Sequence, residues 1–277
     1  MTDPRELLAE YLKQRLAMGE GAVVLPDIPL HRPPSPGGGE AGEEHRPPSP
    51  PPRRATSPAA ARARAAWQRG APPIPPVGLV IPSPEKDLFT ADPLTSMSLT
   101  QLADAVRACT KCVLCRERTN AVPGEGPADA RLVVVGEGPG ATEDETGRPF
   151  VGRAGKLLDE ILAAIELPRE RVYICNVVKC RPPQNRKPAQ DEMDACVPYL
   201  YRQLDLIRPK VILAMGNTAA ETLLNTKQSL GSLRERVHQF RGMPLIVTYH
   251  PAALLRNPHW KKPTWDDVRI ARQLIDP

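Results

Sequence analysis

LVVVGEGPGATEDETGRPFVGRAGKLLDEILAAI, residues 132–165, sets four apolar residues before a glycine-rich turn and follows the turn with leucines and isoleucines at helical spacing. Residues 132–135 read as a buried strand, because a short apolar run closed by glycine suits a strand covered on both faces. Leu157, Leu158, Ile161, Leu162 and Ile165 recur in steps of three and four, so they share one side of a helix. The same texture returns downstream: residues 172–178, 211–215 and 245–248 are further apolar runs, weaker helical patterns occupy 193–207 and 218–224, and a helical pattern over 265–275 closes the chain. Strand–helix alternation predicts an α/β fold, a parallel sheet with helices on both faces. In such sheets the ligand crevice lies beyond the carboxyl ends of the strands.

Upstream, the texture differs. In residues 1–20, Asp3 can cap a helix, Pro4 suits its first position, Glu6 completes a capping box and Gly19 ends it. Leu7, Leu8, Tyr11, Leu12 and Leu16 give that helix one apolar face, a candidate docking face for the rest of the chain or for a protein partner. Residues 21–98 are low-complexity, with PPSPGGG, RPPSPPPRR and APPIPP, and hold too little apolar surface to offset ordering entropy. They are expected to be a disordered Pro/Arg-rich linker, leaving 99–277 as the globular domain. Between Arg46 and Arg69 the linker has six arginines and no acid, as a solvated spacer or a loose DNA-tracking tether would. Acid and base balance over residues 1–98, so the net charge of +5 belongs to 99–277, a modest basic excess that suits a polyanionic partner.

No apolar run approaches the roughly 20 residues that span a bilayer, and the N-terminus lacks a signal-peptide pattern. The expected location is the cytoplasm, with the nucleoid, and no membrane partner; the expected state is a monomer. In that reducing compartment the six cysteines read as metal ligands or buried thiols before disulfides.

Three polar segments follow three of the strands. After the first comes GEGPGATEDETGRPFVG, residues 136–152; after the second, Asn176 leads VVKCRPPQNR; after the fourth come Tyr249, His250 and PAALLRNP. Taken singly, Phe150 reads as core, Asn176 as a turn residue and His250 as a loop histidine. Taken together, Glu137, Phe150, Asn176 and His250 could converge on one pocket. The glycine-rich turn has neither the GxGxxG spacing of a dinucleotide fold nor the GK[ST] of a P-loop.

These segments, with CTKC and NAVPGEG, resemble the family 4 (iron–sulfur) uracil-DNA glycosylases of bacteria and archaea over residues 99–277. The resemblance implies a three-layer α/β/α sandwich on a four-stranded parallel sheet, and an enzyme of base excision repair that flips uracil from DNA and hydrolyses its N-glycosidic bond. It implies uracil-containing DNA, single- or double-stranded, as partner. It gives Phe150 the role of stacking on the flipped base and Asn176 that of reading its edge. His250 would meet the charge developing on O2, and Glu143 would lie near C5, obstructing a thymine methyl. In the family 1 turn GQDPYH an Asp acts on water; here Gly138 takes the Asp slot and Gly140 the aromatic slot, leaving Glu137 as the nearest carboxylate to orient a water. Leu254, Leu255 and Arg256 resemble a DNA-insertion segment, a wedge followed by a phosphate contact.

Cys109, Cys112 and Cys115 form CxxCxxC, whose spacing does not choose between zinc and iron–sulfur. The resemblance implies Cys109, Cys112, Cys180 and Cys196 as ligands of a 4Fe–4S cluster, with Cys115 an extra thiol; Cys175, by its place within an apolar run, reads as buried in a strand. Two rivals stand beside this expectation. One is a non-hydrolytic iron–sulfur DNA-binding or polymerase-associated protein, which needs no uracil-shaped pocket. The other is a branch that bonds covalently to the abasic sugar and carries a basic, histidine-containing insertion after the second strand; here RPPQNRKP runs on without one.

Overall fold

The computed structural model describes residues 72–82 and 93–276; the expected helix in residues 1–20 and most of the linker lie outside the described residues. The described strands are β1 (Val77–Ile81), β2 (Leu132–Gly136), β3 (Val172–Asn176), β4 (Val211–Met215), β5 (Val237–Phe240) and β6 (Met243–Thr248). They form one sheet in the order β1-β5-β6-β4-β2-β3. The four expected strands are its parallel core, β6-β4-β2-β3. The sheet has six strands rather than the expected four, because β5 pairs antiparallel with β6 and β1 pairs parallel with β5.

Both extra strands have a physical basis that the hydrophobic pattern hides. β5 is VHQF, with His238 fully buried. The His238 Nδ1 accepts from the Leu79 N–H at 2.9 Å, and its Nε2 is 2.7 Å from the Leu233 carbonyl. One imidazole thus joins the edge strand to the last residue of the short helix before β5. Gly78 permits the approach, since a Cβ there would lie 2.5 Å from the ring. Residues 77–81, placed by their prolines within the disordered linker, are therefore an ordered strand. Flanking prolines are compatible with that place, because an edge strand has one row of N–H groups unused by the ladder.

The helices are α1 (Leu99–Arg107), α2 (Ala141–Thr146), α3 (Arg153–Ala164), α4 (Gln190–Ile207), α5 (Asn217–Leu224), α6 (Leu230–Leu233), α7 (Pro251–Arg256) and α8 (Lys261–Ile275). Strand alternation divides the core in two. Val133, Val135, Ile212, Ala214, Leu245 and Val247 pack with Leu102 and Val106 of α1, Leu200 and Leu204 of α4 and Leu223 of α5. Leu132, Val134, Val211, Leu213 and Ile246 face the other way, onto Leu158 and Leu162 of α3 and Val268 and Ala271 of α8. That is the three-layer sandwich, and truncating any one of these buried leucines to alanine costs about 2–5 kcal/mol. The strands carry the ends of β2, β3, β4 and β6 to one rim of the sheet.

Candidate active site

A cleft of about 620 Å³ opens at that rim, lined by Glu137, Phe150, Asn176, Gly216, Tyr249 and His250 among others. Asn176 is the last residue of β3, in register with Gly136 at the end of β2. A Cβ at Gly136 would lie 2.4 Å from Asn176 Oδ1 and 2.5 Å from Phe150 Cζ, so the absence of a side chain there lets both reach the cleft. Asn176 is 1% exposed, and its Oδ1 is buried without a hydrogen-bond partner. Buried acceptors are normally satisfied; this one points to a donor that arrives with a ligand. Behind it, Lys179 Nζ donates to the Asn176 backbone carbonyl at 2.8 Å and to Gln203 Oε1 at 2.7 Å. Gln203 Nε2 in turn donates to the Pro123 carbonyl at 2.7 Å and to the Tyr173 hydroxyl at 3.0 Å.

Phe150 is buried with φ at 51°, a left-handed conformation that a bulky residue holds only under constraint. Arg169 supplies it, donating to the Phe150 carbonyl at 2.9 Å and also to the Pro149 carbonyl. Glu125 anchors Arg169 at 2.7 Å and Arg148 at 2.9 Å. Burial pushes the Glu125 carboxyl upward, but hydrogen bonds from these two arginines hold it below the usual range. Gly155 completes the fit, because a Cβ there would stand 1.9 Å from the Phe150 carbonyl oxygen. Glu143 ties this turn to the one after β2. Its Oε1 accepts from Val151 N–H and Gly152 N–H, both at 2.9 Å, and its Oε2 from Gly140 N–H at 3.2 Å.

His250 caps α7, its Nδ1 accepting the Ala252 N–H at 3.2 Å, which leaves Nε2 as the protonated nitrogen of the neutral ring. It keeps some exposure at the cleft wall, yet it lies deep, and desolvation lowers its pKa to about 4. The ring stands 5.3 Å from that of Phe150, tilted by 31°. Glu137 Oε2 accepts from the buried Thr218 hydroxyl at 2.5 Å. Below this turn a Cβ at Gly138 would meet Val178 Cγ2 at 2.7 Å, and one at Gly140 would meet Glu143 Oε2 at 2.8 Å.

The insertion segment separates on the structure. Leu255 is 40% exposed and Arg256 is exposed at the cleft, but Leu254 is 1% exposed. Leu254 therefore anchors α7 and offers nothing to solvent, contrary to the expectation for it. At the outer rim, Tyr249 stacks on Trp260 with centroids 4.6 Å apart and planes 8° from parallel.

Cys109, Cys112, Cys115, Cys180 and Cys196 line one small cavity. Among the described residues no three His, Cys, Asp or Glu stand in a ligating array. Arg118 donates to Cys180 Sγ at 3.0 Å and the Lys179 N–H to Cys196 Sγ at 3.2 Å. Burial raises the Cys112 and Cys180 thiols and pushes Cys196 up to about 12. Cys175 is wholly buried in β3, as expected.

Sequence reasoning missed Arg169, Thr218, Lys179 and Gln203. Arg169 follows a proline in an otherwise charged stretch and bears no local signal. Lys179, in the VVKC run beside an expected ligand, was the one with a visible cue, a lysine where the surrounding residues are apolar.

Residues 123–271 match the model of the uracil DNA glycosylase superfamily. The chain is 50% identical over 178 residues to the type-4 uracil-DNA glycosylase of Thermotoga maritima, covering 63% of this chain and 93% of that one. To the type-4 uracil-DNA glycosylase of Archaeoglobus fulgidus it is 43% identical over 185 residues, 64% of this chain and 93% of that one. A type-5 uracil-DNA glycosylase of Thermus thermophilus is 34% identical over 153 residues, 47% of this chain and 68% of that one.

Proposed function

Because the chain belongs to the uracil-DNA glycosylase superfamily, with type-4 enzymes among its relatives, we infer that the cleft at the strand ends is where it excises uracil from DNA. The chain is a uracil-DNA glycosylase, and DNA is its substrate. The observation that carries the site is the orphaned Asn176 Oδ1, buried beside Phe150 and His250. It is an acceptor matched to N3–H of uracil, while the Asn176 amide NH₂ is matched to O4. Cytosine offers the opposite polarity at both positions and leaves the amide unpaired, at about 1–3 kcal/mol per group.

In this assignment Phe150 stacks on the flipped base. His250, neutral with Nε2–H facing the cleft, donates to O2 as the N1–C1′ bond lengthens and its electron pair moves onto the uracil ring. A donor already in place stabilises that charge without reorganisation. Glu137, one oxygen fixed by Thr218, uses the other to orient a water that adds to C1′ and releases its proton to solvent, and the uracil anion takes one proton from solvent in return. Glu143 holds the Gly138–Gly140 turn against the Phe150 turn, so the wall near C5 is rigid and short of room for a methyl. Leu255 fills the space vacated in the DNA, and Arg256 binds a phosphate beside it.

Cys109, Cys112, Cys180 and Cys196 would hold a 4Fe–4S cluster. The residues fit such a group: thiols gather about one cavity, and two N–H groups already point at sulfur, as they do at thiolate ligands. When bound, the cluster would cross-link the segment after α1, the loop after β3 and α4. No helix among the described residues is long and apolar enough to cross a membrane. A cytoplasmic monomer, with an N-terminal segment contacting DNA or a protein partner, completes the proposal.

The test is alkali cleavage at abasic sites after incubation with a uracil-containing oligonucleotide under single-turnover conditions. Asn176→Ala and His250→Ala should each lose about 10²–10³ in excision rate, while DNA binding, set largely by phosphates, changes much less. Near-normal excision by both variants would reject the assignment.

A further inference from the structure

The cleft contains a second aromatic pair that uracil excision leaves unused. Phe150 and His250 lie deep, with Phe150 only 5% exposed. Tyr249 and Trp260 lie at the rim, stacked nearly parallel, and Trp260 is 36% exposed. Tyr249 precedes His250 directly, so the outer pair starts one residue from the catalytic wall. It is also held firmly. The Arg234 guanidinium lies 4.7 Å from the Tyr249 ring centroid, and Arg234 is itself ion-paired at 2.7 Å to Asp267, which is 1% exposed. Asp267 also accepts from Thr248 at 2.7 Å, at the end of β6. The tyrosine under Trp260 is thus tied to the sheet, and the indole rests on it as a fixed platform. Beside it Arg256 and Lys261 are exposed.

A large aromatic face at the mouth of a nucleic-acid cleft, backed by a rigid support and bordered by cations, has the makings of a base-stacking platform. Bases stack on such faces irrespective of identity, for about 1–3 kcal/mol each. The geometry points to a subsite in which Trp260 stacks on the nucleobase next to the flipped uracil. This rests on the placement of uracil in the cleft. A flanking base must leave its own neighbour to reach the indole, which is easy in a single strand and costly in a duplex. The subsite therefore favours uracil in single-stranded or frayed DNA.

A binding cycle on the full chain tests the inference. The probe is a single-stranded oligonucleotide carrying a 2′-fluorinated uracil nucleotide whose glycosidic bond resists hydrolysis. It is made intact, with an abasic spacer immediately 5′, or with one immediately 3′ of the uracil. Trp260→Ala should weaken binding of the intact probe about tenfold to a hundredfold, the range set by one stacked base, and Trp260→Phe should retain most of the affinity. One of the two spacers should weaken the wild type similarly, and on that spacer Trp260→Ala should bind no worse than wild type. Equal affinity of wild type and Trp260→Ala for the intact probe would overturn the subsite. So would a loss that persists on both spacers. Excision of ordinary uracil by the wild type is measured in parallel: if that is absent, it is the placement of uracil that fails; if it is present and the cycle shows no coupling, only the subsite does.

Discussion

Gly136→Ala is a one-carbon test of how the recognition site is packed. The added Cβ would stand 2.4 Å from Asn176 Oδ1 and 2.5 Å from Phe150 Cζ, separations that real Cβ atoms essentially never show. Gly136 has no left-handed φ, so the effect is steric and not backbone strain. Ordinary carbon contacts begin near 3.5 Å, so the Asn176 side chain must retreat by roughly 1 Å. A hydrogen bond of ~2.9 Å stretched by that much is no longer one. Losing the two edge contacts proposed for uracil, at about 1–3 kcal/mol each, predicts a fall in excision of about 30-fold at the least and about 10⁴-fold at the most. Overpacking costs about 1–3 kcal/mol, small beside the 5–15 kcal/mol that holds a domain, so the variant folds and melts only several degrees lower. The assay is single-turnover excision at saturating enzyme, with thermal melting of the same preparation. A rate within about threefold of wild type in a folded Gly136→Ala protein would refute the claim that this glycine holds open the uracil site.

Two further outcomes follow from the same geometry. His250 has its pKa lowered to about 4 from the usual 6.5, so the fold favours its neutral form. The associated stability is fully present above about pH 6.5 and is lost as pH falls toward 4, because the unfolded chain protonates first. Denaturant melts across that window should show a shallower decline in His250→Gln than in wild type, and identical slopes would contradict the burial. For the metal, protein purified without oxygen should be brown with about four irons per chain. Cys109→Ala, Cys112→Ala, Cys180→Ala and Cys196→Ala should lose the colour and Cys115→Ala should keep it; a colourless wild type with stoichiometric zinc, or a colourless Cys115→Ala, would overturn the ligand set.

The parallel core was legible because its four strands are unbroken apolar runs, and the pocket because polar residues cluster just past them. β5 was not, since VHQF carries no run and no alternation, and β1 was masked by its own prolines. The residues that line the cleft were visible, whereas their supports were not: Thr218 meets Glu137 from 81 residues away, and Arg169 reaches Phe150 through its backbone, a contact that carries no side-chain signature. Leu254 and Leu255 show another limit. Adjacent residues on a helix point about 100° apart, so only one can face outward, and the six residues of α7 are too few to fix the phase from sequence.

The edge strand also has a history within synthesis. The hydrogen bond from Leu79 to His238 closes a loop of 159 residues, which by chain statistics alone costs about 4–5 kcal/mol. β1 therefore joins the sheet after the β5–β6 hairpin exists, as a late and peripheral event. At typical elongation rates of about 5–20 residues per second, it waits roughly 8–30 s for its partner to be made. During that time VGLVI is an apolar β-former with nothing to pair with, the kind of segment that aggregates. Pro72, Pro73, Pro75 and Pro76 before it and Pro82 after it remove backbone donors on both sides and keep any unwanted ladder to about five residues. The prolines that disguise β1 as linker in the sequence are thus its gatekeepers while the chain is being made.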